Sequence, residues 1–162
     1  MTFPKGESEK KESVSFNAGY VITNRDSFEK YFWPNADEGD YKINSDLKSY
    51  LPYGMKLIAS DNGGVLENVI DLIGFENLCI MCLMDEELTT QIFNAIVPRF
   101  FRLYEIVASI ETIGVCIVND DWGFKNQTML SADMLRRLVF PRHKKIVETI
   151  HNAGKRAILH SC

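Results

Sequence analysis

The chain is poor in the features that mark membrane, nucleic-acid-binding and secreted proteins. None of its apolar runs approaches the ~20 residues that a membrane-spanning helix needs, and its net charge of −4 comes without a basic patch. We therefore expect neither a membrane nor a nucleic acid as a partner. Its four cysteines are irregularly spaced and residues 1–12 lack an apolar core, so neither a disulfide framework nor a secretion signal is indicated. These absences favour a cytoplasmic protein.

The composition is that of one globular domain. The chain has 162 residues, of which 46% are hydrophobic and 25% charged, enough for a sizeable core. The mixed charges of residues 1–12 predict a disordered tail, and residues 13–162 are expected to form the domain. Alternating apolar residues predict a strand or hairpin over residues 13–23.

Short apolar strands alternate with helices along the rest of the chain. Strands are predicted over residues 55–59, 115–118 and 156–159. Between them the apolar spacing predicts helices, the longest of which begins after Asp85 and contains Pro98, where a kink or break is expected. This alternation is typical of a parallel α/β sheet, whose ligand sites lie at the carboxyl ends of the strands.

Chemically capable side chains follow each predicted strand. Asp61 follows the first, Asp120 and Asp121 the second, and the third ends in His160-Ser161-Cys162. Asp120 and Asp121 are candidate catalytic residues, as a general acid or base or as groups that orient a substrate. The alternative is that they solvate the loop and cap the next element.

His160 and Cys162 are candidate metal ligands. Alternate side chains of a strand point to the same face, and imidazole and thiolate both suit zinc. The alternative is a histidine bonded to a neighbour and a free cysteine. No third ligand is visible in the sequence, so this ending also suggests a truncated chain.

The remaining candidates are interpreted as structural. Cys79 and Cys82 lie in an apolar helical segment, and these two and Cys116 are expected to pack in the core. His143 and His151 lie on amphipathic segments and are predicted to be surface residues. Trp122 and Phe124 are expected to wall a pocket or to pack over the rim, and Pro141 is expected to interrupt its helix.

Several segments resemble the uroporphyrinogen decarboxylase superfamily, which also contains corrinoid-linked methyltransferases. They occur in order over residues 21–162, and they are residues 52–56, 64–68, 74–78, 118–124, 128–131, 140–144, 152–155 and 160–162. The resemblance implies a (β/α)8 TIM barrel with parallel strands and flanking helices. A complete barrel takes about 250 residues, so a partial, incomplete barrel is expected here.

The resemblance implies two alternative chemistries. In the zinc-dependent methyltransferases, a His-x-Cys and a distant Cys hold zinc, which activates a thiol for methyl transfer involving a corrinoid on a partner protein. His160 and Cys162 match the first two positions, and the small-molecule methyl donor is left open. In the decarboxylases a tetrapyrrole is the substrate, but the expected early arginines and tyrosine have no match here, so we favour methyl transfer.

A third interpretation is a non-catalytic, truncated module that acts through homo-oligomerisation. An open half-barrel exposes sheet edges and apolar faces, which promote association. Under every interpretation we expect the isolated chain to have little activity.

Overall fold

A computed structural model describes residues 21–61 and 63–161. The tail over residues 1–12, most of the strand predicted over residues 13–23, and Cys162 lie outside the described residues. Within the described ranges, the model contains no helix whose length and apolar character would let it traverse a bilayer.

The centre of the fold is a parallel sheet. The strands are β1 (Leu57–Ser60), β2 (Ile113–Asn119), β3 (Gly123–Phe124), β4 (Gln127–Thr128) and β5 (Arg156–His160). β1, β2 and β5 form a parallel sheet with β2 in the middle, and β3 and β4 form a short antiparallel hairpin. The predicted fold class, a partial (β/α)8 barrel with parallel strands and flanking helices, is confirmed in this architecture.

Helices connect the strands and cover the sheet. They are α1 (Arg25–Lys30), α2 (Lys42–Asp46), α3 (Val65–Ile73), α4 (Phe75–Met84), α5 (Glu86–Ser109), α6 (Ala132–Met134) and α7 (Phe140–Asn152), with 3-10 turns at Ala36–Glu38 and Leu47–Tyr50 and a π turn at Leu135–Val139. α3, α4 and α5 carry the chain from β1 to β2, and α6, the π turn and α7 carry it from β2 to β5.

The long helix α5 forms where its sequence predicts it, but it does not break at Pro98. The Asp85 side chain caps its first turn by accepting from Leu88 N at 2.9 Å. Ile96 and Phe100 are buried on either side of Pro98, so core packing keeps the helix continuous through Pro98 despite the missing N–H.

Pro141 produces a π turn rather than an end to helical structure. The π turn precedes α7 directly, and Pro141 has no N–H for the carbonyl of Arg137 four residues earlier. The guanidinium of Arg142 donates instead to the carbonyls of Arg137, at 3.1 Å, and Leu138, at 2.7 Å. A side chain thus compensates for the lost backbone hydrogen bond.

The helices bury one face of the sheet and leave the other open. On the helix side, Cys116 and Val118 of β2 are buried, so the predicted core packing of Cys116 is confirmed. In α4, Cys82 is buried and Cys79 is half-buried. On the other side, Ile58 is 59% and Ile158 46% exposed.

Candidate functional site

The carboxyl ends of β1, β2 and β5 lie at one edge of the sheet because the three strands are parallel and adjacent. Asn119, the last residue of β2, pairs in register with His160, the last of β5, and Asp61 follows β1 directly. We call this edge the rim. It is where ligand sites lie in folds of this architecture.

Asp120 is buried at the rim and holds the start of α3. Its carboxylate accepts from the backbone N–H of Leu66 at 2.9 Å and of Glu67 at 3.0 Å, and from Trp122 Nε1 at 3.1 Å. α3 begins after Gly64, which has no side chain to cap it. Asp120 therefore caps the helix from the neighbouring strand, where its negative charge also suits the helix N-terminus.

Gly64 permits this close approach of α3 to β2. A Cβ at this position would lie 2.0 Å from the carbonyl oxygen of Asn119 and 2.4 Å from the Cβ of Asp120. Because both contacts are far shorter than van der Waals distance, only glycine fits between the helix start and the strand end.

His143 lies beside Asp120, and the prediction that it is a surface residue is wrong. Only 4% of the residue is exposed, and its Nε2 lies 2.6 Å from Asp120 Oδ2. The ring packs edge-on against Trp122, with centroids 5.3 Å apart. His143, Ile146 and Ile150 form the buried stripe of α7. Their spacing of three and four residues is typical of the buried face of a helix, so the sequence did contain a signal that His143 is buried.

Asp120 accepts the proton on His143 Nε2, which sets the tautomer of the ring. The carboxylate has no proton of its own to donate when ionised, so the shared hydrogen belongs to Nε2. His143 Nδ1 is buried and has no hydrogen-bond partner in the part of the chain that the structure describes. In the neutral ring, Nδ1 therefore carries a lone pair that accepts no hydrogen bond from the described residues.

A second chain of hydrogen bonds joins Glu67, Asn119 and His160 across the rim. Glu67 Oε2 accepts from Gly64 N at 2.9 Å and from Asn119 Nδ2 at 3.1 Å. Asn119 Oδ1 lies 2.5 Å from His160 Nδ1. Because the amide nitrogen of Asn119 donates to Glu67, its oxygen is the acceptor, and His160 Nδ1 must donate.

Burial raises the pKa of Glu67 above its ordinary value, although its hydrogen bond from Gly64 N lowers it. The negative charges of Asp120, Asp121 and Asp71 raise this pKa further. The rim is therefore electrostatically negative around the Glu67 carboxyl.

The other predicted site residues occupy different surroundings. Asp121 is half-buried next to Asp120, and His160 is exposed at the end of β5. Cys162 lies outside the described residues. Across residues 21–61 and 63–161, no three His, Cys, Asp or Glu side chains are grouped closely enough to hold a metal ion. A zinc site here would therefore need Cys162 and at least one further ligand.

Trp122 and Phe124 pack against different residues. Trp122 packs against Phe140 as well as His143 and lines a groove beside β5. Phe124 instead packs edge-on against Phe75, with ring centroids 5.8 Å apart. Trp122 thus forms part of a cavity wall.

Sequence analysis missed three residues of these networks: Glu67, Asn119 and His143. Glu67 stands three residues after Gly64, the spacing by which a glutamate returns to the first N–H of a helix. Asn119 lies at a strand end directly before the two aspartates. Glu67 contacts Asn119 and Asp120, 52 and 53 positions along the chain, and His143 contacts Asp120 23 positions away, and no local pattern encodes such contacts.

Comparison with known proteins gives a likeness of fold. No family model matches the chain, and neither does any curated protein. A solved structure, a methyltransferase from Methanosarcina mazei, superposes with a TM-score of 0.70 at 12% sequence identity, over 90% of this chain and 42% of that one. The chain thus spans less than half the length of this neighbour. The likeness supports a methyltransferase-like fold and does not single out the uroporphyrinogen decarboxylase superfamily.

Proposed function

We propose that this chain is part of a methyltransferase in which His160 and Cys162 bind zinc and a corrinoid on a partner protein carries the methyl group. The observation that supports this proposal is the chain of hydrogen bonds from Glu67 through Asn119 to His160. The likeness of fold to a methyltransferase agrees with it.

The hydrogen bond to Asn119 prepares the His160 ring for ligation through Nε2. A neutral imidazole that carries its proton on Nδ1 has its lone pair on Nε2, which is the form that binds a metal. Histidine ligands usually donate their other ring N–H to a carboxylate or carbonyl, which fixes the ring orientation. Asn119 fills that role here, and Glu67 orients the Asn119 amide.

Cys162 supplies the second donor in this proposal. It stands two residues after His160, so a continuing extended backbone would direct both side chains to the same face. A nitrogen and a sulfur donor together suit zinc, and the remaining ligands must come from outside the described residues. When bound, zinc would lower the pKa of a thiol substrate and hold it as a thiolate nucleophile.

The two aspartates have separate roles in this proposal. Asp120 has its carboxylate occupied by four donors, from Leu66, Glu67, Trp122 and His143, and acts as a positioning residue that holds α3 against β2. Asp121 is half-buried beside it and would orient the substrate at the rim.

The charges at the rim favour methyl transfer over tetrapyrrole decarboxylation. A tetrapyrrole substrate carries several carboxylates, whose recognition calls for arginines. The described strand ends instead carry Asp61 and Asp121 with Glu67 nearby, and these carboxylates would repel such a substrate.

Cobalt substitution tests this proposal. With water in the coordination positions that His160 and Cys162 leave open, we expect the chain to bind Co²⁺ weakly, at high metal concentration, with the charge-transfer absorption of a cobalt–thiolate bond. His160→Asn and Cys162→Ser should abolish that absorption, and Asn119→Ala should weaken binding by roughly tenfold or more, as loss of a ligand's hydrogen-bond partner does.

His151→Asn is the matched control, because His151 is an exposed histidine at the end of α7. It should bind cobalt like the unchanged chain. Failure of the unchanged chain to give the thiolate absorption, or its persistence in His160→Asn, would contradict the proposal.

A further inference from the structure

A small cavity lies between the long helix α5 and α7, with a volume of about 360 Å³. All the residues that line it belong to these two helices, so neither a strand nor the rim contributes to it. Its apolar walls are formed by Val97, Pro98, Phe101 and Pro141. We call this the helix cavity. Cavities of this size hold small molecules.

The polar part of the helix cavity is cationic. The remaining residues of its lining are Asn94, Arg142 and Lys145, which bring two positive charges and no carboxylate. Lys145 is exposed, and it has no ion-pair partner among the residues that the structure describes. A cavity whose charges are all positive attracts anions and repels cations.

Neutral groups hold the Arg142 guanidinium in place. Its Nη1 donates to the carbonyls of Arg137 and Leu138, and its Nη2 donates to Asn94 Oδ1 at 2.7 Å. The guanidinium also lies over the Phe93 ring, 5.4 Å from the ring centroid. Because the side chain is already fixed, it would lose little further conformational entropy on binding a ligand.

The positive charge of Arg142 is not neutralised within the described chain. The residue is half-buried, burial lowers the pKa of its guanidinium, and no neighbouring carboxylate offsets this effect. Its Nε is buried and lacks a hydrogen-bond acceptor among the described residues, and Nη2 has a second N–H besides the one that Asn94 accepts. Buried charges in proteins are normally paired, so an anion beside Arg142 would complete its surroundings.

We propose that the helix cavity binds a small organic acid with an apolar body. Its carboxylate pairs with the Lys145 ammonium and with the remaining N–H of Arg142 Nη2, a charge-assisted contact of the kind that arginine makes with carboxylates. Its apolar body packs against Pro98, Phe101 and Pro141. This site is separate from the rim and independent of the proposed methyl transfer.

Titration with phenylbutyrate, followed by amide NMR of the chain, tests the proposed site. We expect saturable shifts of the amides of residues 94–101 and 142–145, which surround the helix cavity. Phenylbutyramide, which has the same apolar body but no charge, should bind roughly tenfold more weakly or less well still. Lys145→Gln should raise the dissociation constant of phenylbutyrate about threefold to tenfold, because it removes one of the two positive charges, and Lys145→Arg should retain the binding.

Lys144→Gln is the matched control: it makes the same charge change on the preceding residue of α7, which is exposed and does not line the helix cavity. It should leave the dissociation constant unchanged, and far-ultraviolet circular dichroism should show all variants equally folded. The absence of saturable shifts around the helix cavity, equal binding of the acid and the amide, or equal weakening by the two glutamine variants would overturn the proposal.

Discussion

At the scale of single residues, Asp120 joins three separate parts of the fold. Its carboxylate accepts from the start of α3, from Trp122 after β2 and from His143 of α7. It is fully buried, and a buried carboxylate is stable only when its oxygens are this well satisfied. Asp120 thus ties α3 and α7 to the end of β2.

Removing either member of the Asp120–His143 pair should reveal strong coupling between them. Asp120→Ala leaves the His143 ring without its acceptor, and His143→Phe leaves the carboxylate short of one donor. We expect each single variant to lose about 2–4 kcal/mol of unfolding free energy. The double-mutant cycle, measured by urea denaturation, should give a coupling energy of about 1–3 kcal/mol.

The exposed pair of Arg136 and Asp133, 3.4 Å apart, provides the control cycle. Its coupling should be below about 1 kcal/mol, as for other surface ion pairs. Equal coupling in the two cycles would show that Asp120 and His143 do not form a buried interacting pair.

The sequence alone identified Asp120 and His160 because both stand at strand ends, where chemically active residues collect. It did not identify their partners. Glu67 and Asn119 have ordinary local surroundings in the sequence, and His143 was placed on the wrong face of its helix. Which of these side chains touch is decided by packing between distant segments, and that information is not present in any short window.

At the scale of elements, the start of α3 is where two acidic side chains of the rim, Glu67 and Asp120, lie together. Glu67 closes the first turn by accepting from Gly64 N, while Asp120 accepts from the N–H groups of Leu66 and Glu67. Two acids therefore stabilise one helix N-terminus, but the negative charge of Asp120 also raises the pKa of Glu67.

The raised pKa of Glu67 should appear as a pH-dependent stability. Because the folded state favours the protonated form, the contribution of Glu67 to stability is greatest at low pH and falls as the pH rises from the ordinary glutamate pKa of 4.5 through the raised pKa. We expect Glu67→Gln, which cannot ionise, to lack this loss. The unfolding free energy of the variant minus that of the unchanged chain should therefore increase with pH.

Urea denaturation at a series of pH values measures this difference and cancels the titration of groups common to both proteins. Glu76→Gln, in the first turn of α4, is the control, since Glu76 is exposed. A difference for Glu67→Gln that stays flat or declines with rising pH would contradict a raised pKa.

Most elements followed from sequence patterns, and the exceptions have a common cause. Apolar spacing predicted α3, α4 and α5, and continuous apolar runs predicted β1, β2 and β5 to within a few residues. Pro98 was expected to kink or break α5, which is continuous through it, and Pro141 was expected to interrupt its helix, which changes to a π turn just before it. Buried neighbours hold α5 together, and the side chain of Arg142 replaces a backbone donor before α7; both are tertiary effects that propensity does not contain.

At the scale of the whole molecule, the fold gathers residues 67, 119 and 160 at one rim and leaves the opposite face of the sheet partly exposed. The gathering of these three residues at one rim is predictable, because the carboxyl ends of parallel strands share one edge of the sheet. The exposure of Ile58 and Ile158 accords with a chain that spans 42% of its structural neighbour. The sheet order itself agreed with the expected partial barrel.

The account depends most on the claim that the rim network fixes the proton of His160 on Nδ1. Nitrogen-15 NMR of the three histidines, at about pH 8 where an ordinary imidazole is neutral, reports each tautomer directly. We predict the Nδ1–H form for His160 and the Nε2–H form for His143, with Asn119→Ala abolishing the preference at His160 alone. An Nε2–H form at His160 in the unchanged chain would contradict the central claim.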